Sequence, residues 1–314
     1  MWREVFRRLP ETVEKNERFR VRLEPLGALV FDKTTGFIVE MNRAEVETLF
    51  NIKLFPKDKV APRFVHIELT NKCNLNCPEC YVERDYRKAM SFKQLDTLLS
   101  ELAEIGVFSV TFGGGEPLLR GNEVYALAKI ARALGLGVAM TTNGTLLEAN
   151  EELATFHQVN ISVHHNLQHI LRKAIAASAY TKVGINFVVS KGSISELRAV
   201  AEFCKKFDFE LLLLSYKPVK GDLAEAIPAT EVLSIAKKLA KDGVKVASDG
   251  MSVGLCKAAD YFVDISCEGD VFPCSFVRKP IGNVLREKFS EIWEKRPRRV
   301  SCPFKKFERK AERR

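Results

Sequence analysis

Three cysteines stand four and three residues apart in the segment Thr70-Asn71-Lys72-Cys73-Asn74-Leu75-Asn76-Cys77-Pro78-Glu79-Cys80-Tyr81. Thiolates at this spacing can wrap one metal centre from a single loop, and thiolates are the usual ligands of iron–sulfur clusters. Three ligands on a four-iron cluster leave one iron open to a further molecule. A zinc knuckle is the competing reading. Structural zinc is closed by four ligands, usually in paired spacing, and His66, the nearest candidate for a fourth, falls inside an expected strand. Cys204 shares a helical face with Leu197, Val200 and Ala201, which marks it as a small core residue. The remaining cysteines, Cys256, Cys267, Cys274 and Cys302, are widely spaced and suit either a second cluster or a zinc ion.

The elements that must position these groups are legible from periodicity. Phe64–Thr70 reads as a strand, so Cys73, Cys77 and Cys80 lie on the loop at its C-terminal end. Ser91 and Gln94 form a capping box before a helix carrying Leu95, Leu98, Leu99 and Leu102 on one face. Strands follow at Val107–Phe112, Val138–Thr141, Asn160–Val163, Val183–Val189 and Leu211–Ser215. Helices are expected between them, one capped by Ser193 with Glu196, and a last one over Glu231–Lys241. Alternating strands and helices imply a parallel sheet, and a curled one gathers function at the C-terminal ends of its strands. The expected fold is α/β: a partial (β/α)6, TIM-like barrel over 62–245. A small N-terminal α+β module precedes it over 1–57, and a C-terminal cysteine-rich cluster domain follows over 246–314. In the N-terminal module, Ala28–Phe31 and Phe37–Met41 read as a hairpin, and Asn42 with Glu45 caps a helix. Phe55–Arg63 reads as a linker.

The segment Gly113-Gly114-Gly115-Glu116-Pro117 follows the second barrel strand. Glycines let a backbone approach a ligand closely, although such a run alone is usually a turn. Taken with the C-x3-C-x2-C segment one βα unit earlier, it resembles the radical S-adenosylmethionine (SAM) superfamily. That resemblance implies a [4Fe–4S] cluster on Cys73, Cys77 and Cys80 whose open iron is chelated by SAM. It implies SAM contacts from Gly114, Gly115, Glu116 and Pro117, from Asn143 in Thr142-Asn143-Gly144, from Ser162, and from Asn186 on the fifth strand. The family commonly places an aromatic before the third cysteine; here Glu79 stands there, with Tyr81 one residue beyond the cysteine. His164 and His165 follow the fourth strand as proton movers or as solvated loop residues.

Cys256, twelve residues, Gly269, four residues and Cys274 resemble the opening of SPASM and twitch accessory domains. The implied ligands of an auxiliary [4Fe–4S] cluster are Cys256, Cys274 and Cys302, with Cys267 as the fourth if it turns inward. The N-terminal hairpin faintly resembles PqqD-like modules, which bind a precursor peptide as an added strand. The implied activity is reductive cleavage of SAM and hydrogen abstraction from a peptide, protein or small-molecule precursor. The electron would come from a ferredoxin or flavodoxin. A non-catalytic zinc- or iron–sulfur-binding scaffold is the alternative.

The 314 residues carry a net charge of +9, with basic residues crowding Lys295 to Arg314. We read that run as a solvated tail rather than a nucleic-acid arm. No apolar run approaches the roughly 20 residues that cross a bilayer. The Arg- and Glu-studded Met1–Pro10 is no secretory signal. A cytoplasmic protein is expected, and clustered cysteines in such a chain point to metal or catalysis rather than disulfides.

Overall fold

The computed structural model describes residues 13–15, 17–83, 89–163, 167–219, 224–254 and 256–304. His164, His165 and the basic residues from Lys305 onward lie outside these. Strands β1 (Val13–Lys15), β2 (Phe19–Glu24), β3 (Gly27–Asp32) and β4 (Ile38–Asn42) form an antiparallel sheet in that order. Helix α1 (Arg43–Phe50) follows, and its Val46 packs on Val21, Leu23, Ala28 and Val30. The expected capping box is present: Glu45 N–H donates to Asn42 Oδ1 (3.0 Å) and Asn42 N–H to Glu45 Oε2 (2.7 Å).

The barrel strands are β5 (Phe64–Thr70), β6 (Ser109–Gly114), β7 (Gly137–Thr142), β8 (Gln158–Val163), β9 (Lys182–Val189) and β10 (Glu210–Ser215). All neighbours among them pair in parallel. Helices α2 (Phe92–Glu104), α3 (Glu123–Ala133), α4 (Leu167–Ala177) and α5 (Ile194–Phe207) supply crossovers, and α6 (Ala229–Lys241) follows β10. On β5, Val65, Ile67 and Leu69 join the helix-facing core, which turns His66, Glu68 and Thr70 to the lumen. The Ser91–Gln94 box caps α2 as expected (2.9 and 3.4 Å). Ser193, by contrast, does not cap α5: its hydroxyl donates to Val188 O (2.7 Å), closing the turn before the helix.

The sheet continues past the six strands at both ends. Strand β11 (Val246–Ser248) pairs in parallel with β10, and β12 (Phe262–Ile265) pairs in parallel with β5. Strands β13 (Asp270–Phe272) and β14 (Gly282–Asn283) extend this end antiparallel, giving one ten-stranded sheet. The cysteine-rich segment is therefore hydrogen-bonded to the first barrel strand. Helix α7 (Phe289–Glu294) buries Phe289, Ile292 and Trp293 in the same core. Part of the basic run is structural too: Arg296 is buried, and both it and Arg298 pair with Asp58.

Strand β2 escaped the sequence reading because Arg20 and Arg22 look like solvent-facing positions. Both are wholly buried, at 1% and 0% exposure. Arg20 donates to Ala103 O (2.6 Å) and Val107 O (2.8 Å), and Arg22 to Gly106 O (2.7 Å) and Pro62 O (3.0 Å). The carbonyls of Ala103, Gly106 and Val107 lie at the C-terminal end of α2 and in the turn to β6, where unpaired carbonyls and the helix dipole favour cations, and Pro62 O lies just before β5. Arg22 also pairs with Glu24 through Nε (2.8 Å) and lies 4.7 Å over the Phe108 ring. The N-terminal sheet is thus fastened to the base of the barrel, the end opposite the strand C-termini. The expected linker is packed as well: Ala61 is fully buried and Lys59 O accepts Trp293 Nε1 (2.8 Å). Arg22→Ala should strand Glu24 and the carbonyls of Pro62 and Gly106, lowering stability by roughly 3–5 kcal/mol. Denaturant unfolding would measure this, and a loss below about 1 kcal/mol would show that the junction is only superficial.

Candidate active site

Two rim loops are laced together by backbone. Gly115 N–H donates to Thr70 O (2.7 Å) and Glu116 N–H to Lys72 O (2.8 Å). Gly114 adopts φ +102, and a Cβ there would fall 2.5 Å from Thr70 O; a Cβ on Gly115 would fall 2.0 Å from Lys72 O. Only glycine permits this approach, and it sets the cysteine loop against the glycine turn. Cys73 Sγ accepts from Leu75 N–H (3.4 Å) and Asn143 Nδ2 (3.7 Å), and Cys80 N–H turns back to Cys77 O (3.3 Å).

These loops border a cavity of about 290 Å³ at the C-terminal ends of the strands. Cys73, Cys77, Cys80, Tyr81, Gly114, Gly115, Asn143, Ser162 and Asn186 all line it, so most of the sequence-expected contacts converge on one space. Glu79 lines it too, where an aromatic is commoner. Glu116 and Pro117 are buried behind this wall. Glu116 accepts from Thr142 Oγ1 (2.8 Å), Asn143 N–H (2.9 Å) and Leu118 N–H (3.1 Å), so its carboxylate ties the second and third βα turns together. Burial pushes its pKa up against these bonds. A wall of three thiols, glycine backbone and neutral amide and hydroxyl side chains fits a cluster with a zwitterionic ligand.

Sequence reasoning missed a charged group in the lumen. His66 lines the cavity, and its Nδ1 pairs with Asp264 on β12. Arg278 Nη1 donates to Glu68 Oε1 (2.8 Å) and to Asp264 Oδ2 (2.9 Å). Two carboxylates share one guanidinium, and burial with the Asp264 charge raises Glu68 to about 7. Across the lumen Lys217 pairs with Asp249 (2.6 Å) and sits 4.6 Å over Phe276. The missed signal was parity: His66, Glu68 and Thr70 are alternate residues on one strand face.

The C-terminal cysteines separate into two places. Cys256 contributes to the electrostatic environment of Cys274. Phe276, two residues past Cys274, contacts Phe304, two residues past Cys302 (ring centroids 6.1 Å). Cys256 is thus within electrostatic reach of Cys274, and the segment after Cys302 packs on the segment after Cys274. Cys267 is buried in the β12–β13 turn, where its carbonyl accepts Met90 N–H (2.7 Å). Four residues of β13 and its continuation separate that turn from Cys274, roughly 13 Å at about 3.3 Å per residue. The β12–β13 register therefore sets Cys267 apart from Cys274 along the hairpin. Cys204 is wholly buried in the core, its thiol pushed up to about 12 by burial, as its helical spacing implied.

An open parallel barrel with thiols and a glycine turn on its rim defines a cluster-bearing barrel enzyme. The description "Radical SAM superfamily" matches residues 67–215, and the SPASM "Iron-sulfur cluster-binding domain" matches 256–313. The chain thus contains a radical SAM domain and a SPASM domain, and it is an enzyme. Its cofactors are a [4Fe–4S] cluster with SAM and auxiliary iron–sulfur. It is 26% identical to GTP 3',8-cyclase of Aquifex aeolicus, over 76% of this chain and 91% of that one. It is 27% identical to the PqqA peptide cyclase of Streptomyces rochei, over 74% of this chain and 76% of that one. The fold is shared with SuiB of Streptococcus suis bound to precursor peptide SuiA, with a TM-score of 0.72 and 17% identity. That match covers 90% of this chain and 88% of SuiB. Among the described residues no helix is long and apolar enough to cross a membrane.

The Glu68 titration has a measurable consequence. The unfolded chain releases this proton near the ordinary 4.5, whereas the folded protein keeps it to about 7. Stability should therefore fall as pH rises through that window and level off above it. Glu68→Gln should remove the decline, on the order of 3 kcal/mol. Denaturant midpoints across the window test this; a variant with an unchanged pH profile would reject the assignment.

Proposed function

We propose that the chain is a maturase that modifies a peptide or protein side chain by hydrogen abstraction. The carrying observation is the lacing of the cysteine loop to the glycine turn on one wall of a single lumen. On this reading residues 1–57, 62–245 and 246–314 are its docking, catalytic and auxiliary-cluster parts. Cys73, Cys77 and Cys80 hold the first [4Fe–4S] cluster. The exposed backbone of Gly114 and Gly115, fixed from behind by Glu116 and Pro117, holds the methionine end of SAM. Asn143, Ser162, Asn186 and Tyr81 orient the remainder. The bound cluster and SAM supply a 5′-deoxyadenosyl radical that takes a hydrogen atom from the substrate. The chain's own residues orient the substrate and keep water from the lumen. Cys256, Cys274 and Cys302 hold the auxiliary cluster, and Cys267 stands apart as a structural thiol. A ferredoxin or flavodoxin supplies the electron.

The peptide reading is supported by β4. It is an edge strand, and Phe37 and Val39 stand 69% and 58% exposed on and beside it. An edge with apolar side chains suits strand addition by a peptide. Because Arg20 and Arg22 anchor the module, deleting it would bare the barrel base, so point variants test the idea more cleanly. Val39→Glu should weaken binding of a short peptide encoded beside the gene at least severalfold, leaving SAM cleavage intact. Unchanged peptide affinity would favour the second reading, a small-molecule precursor, which similarity to GTP 3',8-cyclase supports.

Anaerobically reconstituted enzyme with SAM and dithionite should release 5′-deoxyadenosine and contain about eight irons. Cys73→Ala should abolish the release. Cys274→Ser should halve the iron and keep the release, and Cys267→Ser should leave both unchanged. Zinc without iron in protein purified without oxygen would favour the scaffold alternative.

A further inference from the structure

The proposed function leaves the lumen dyad of His66 and Asp264 without a task. Asp264 is fully buried and fixes Nδ1 of His66. The other ring nitrogen occupies the space a side chain at Gly113 would take: a Cβ there would lie 2.3 Å from Nε2. The missing side chain on β6 therefore opens Nε2 to the cavity, which both residues line. The dyad lies below the rim that bears Cys73. Asp264 sits on β12, which pairs with the strand leading to Cys274. A buried carboxylate that fixes one imidazole nitrogen and frees the other toward a ligand space is the arrangement of an oriented proton acceptor.

We propose that His66 is the proton-transfer residue of this lumen, accepting through Nε2 the proton that an oxidised substrate radical releases, with Asp264 as its positioning residue. This rests on the maturase reading. One C–H bond of the substrate breaks homolytically, and its hydrogen atom ends on 5′-deoxyadenosine. The carbon radical then loses one electron, which an auxiliary cluster on Cys256, Cys274 and Cys302 would accept, while a neighbouring N–H, O–H or S–H group of the substrate gives its proton to His66 and its electron pair to that carbon, so one heteroatom–hydrogen bond breaks and one carbon–heteroatom bond forms. The substrate is oxidised by two electrons in all, while an external one-electron donor reduces SAM. Besides Asp264, the charged groups facing His66 are Glu68 on its own strand and Arg278 beyond β13. Burial opposes the imidazolium, but the two carboxylates outweigh it and Arg278, and raise the His66 pKa above the ordinary value. A higher proton affinity makes neutral Nε2 a stronger acceptor.

The test uses diethyl pyrocarbonate on the anaerobic holoenzyme, with carbethoxylation of His66 followed by peptide mass spectrometry against pH. His66 should react in a pH-dependent way, and Asp264→Asn should move the midpoint of its reactivity down by about one pH unit or more. An unreactive His66, or a midpoint indifferent to Asp264→Asn, overturns the proposal. In parallel, His66→Gln should keep wild-type iron content; its loss would make His66 a structural support of the cluster loop and also overturn the proposal. With the peptide encoded beside the gene, His66→Gln should lower modified peptide per 5′-deoxyadenosine on the order of a hundredfold. An unchanged ratio would refute the role. Should the wild type leave that peptide unmodified, the maturase reading fails, and the carbethoxylation profile still decides the acceptor.

Discussion

The two backbone hydrogen bonds from the glycine turn to Thr70 O and Lys72 O constrain everything at the rim. They need Gly114 and Gly115 because any Cβ would strike the carbonyls it must meet. They also need β5 and β6 in parallel register, since the turn and the cysteine loop leave adjacent strands at the same end. Glu116 extends the constraint one strand further by gripping Thr142 and Asn143. Asn143 in turn reaches Cys73 and Asn74. A thiol loop of otherwise open conformation is thereby held by three consecutive strand ends, which is how a flexible segment can present preorganised ligands.

The lumen explains why the sheet stays open. A closed eight-stranded barrel fills its interior with layers of apolar side chains. Here the inward positions include His66, Glu68, Asp264, Ser162 and Asn186, and the gap beside β5 is extended by β12 and β13. Buried charges are costly unless paired. Arg278, arriving from beyond β13, meets both carboxylates. The C-terminal segment thus neutralises the lumen while it delivers Cys274, so the auxiliary region and the barrel interior are a single electrostatic unit.

Much of this was legible in the sequence because it rests on local rules. The capping boxes at Asn42 and Ser91, the six barrel strands, and the cysteine and glycine motifs on neighbouring strand ends follow from spacing alone. What was hidden depends on long-range pairing. Arg20 and Arg22 look solvent-facing until the carbonyls at the end of α2 arrive, more than eighty residues away. His66 looked like an unremarkable strand residue until β12 brought Asp264 beside it from 198 positions off. Ser193 offered a cap signature, yet its hydroxyl oxygen accepts Ser190 N–H in the preceding turn instead of a helix N–H. Cys267 fell in the expected segment, but a hairpin turn carries one end of a strand pair away from the other, and no count of cysteines encodes that.

The position of the N-terminal sheet limits how a peptide could be processed. Its arginines bind the barrel base, whereas the thiols open at the strand C-termini. Strand β5 runs seven residues between these ends, roughly 23 Å at about 3.3 Å per residue. A peptide docked on β4 must cover at least that span outside the barrel before its reacting residue can turn into the lumen. Extended chain advances about 3.3–3.6 Å per residue, so on the order of seven residues or more must separate the docked segment from the modified one. Docking at one end and chemistry at the other would let the recognised sequence and the modified residue vary independently. The same edge could then hold different precursors over one reactive site.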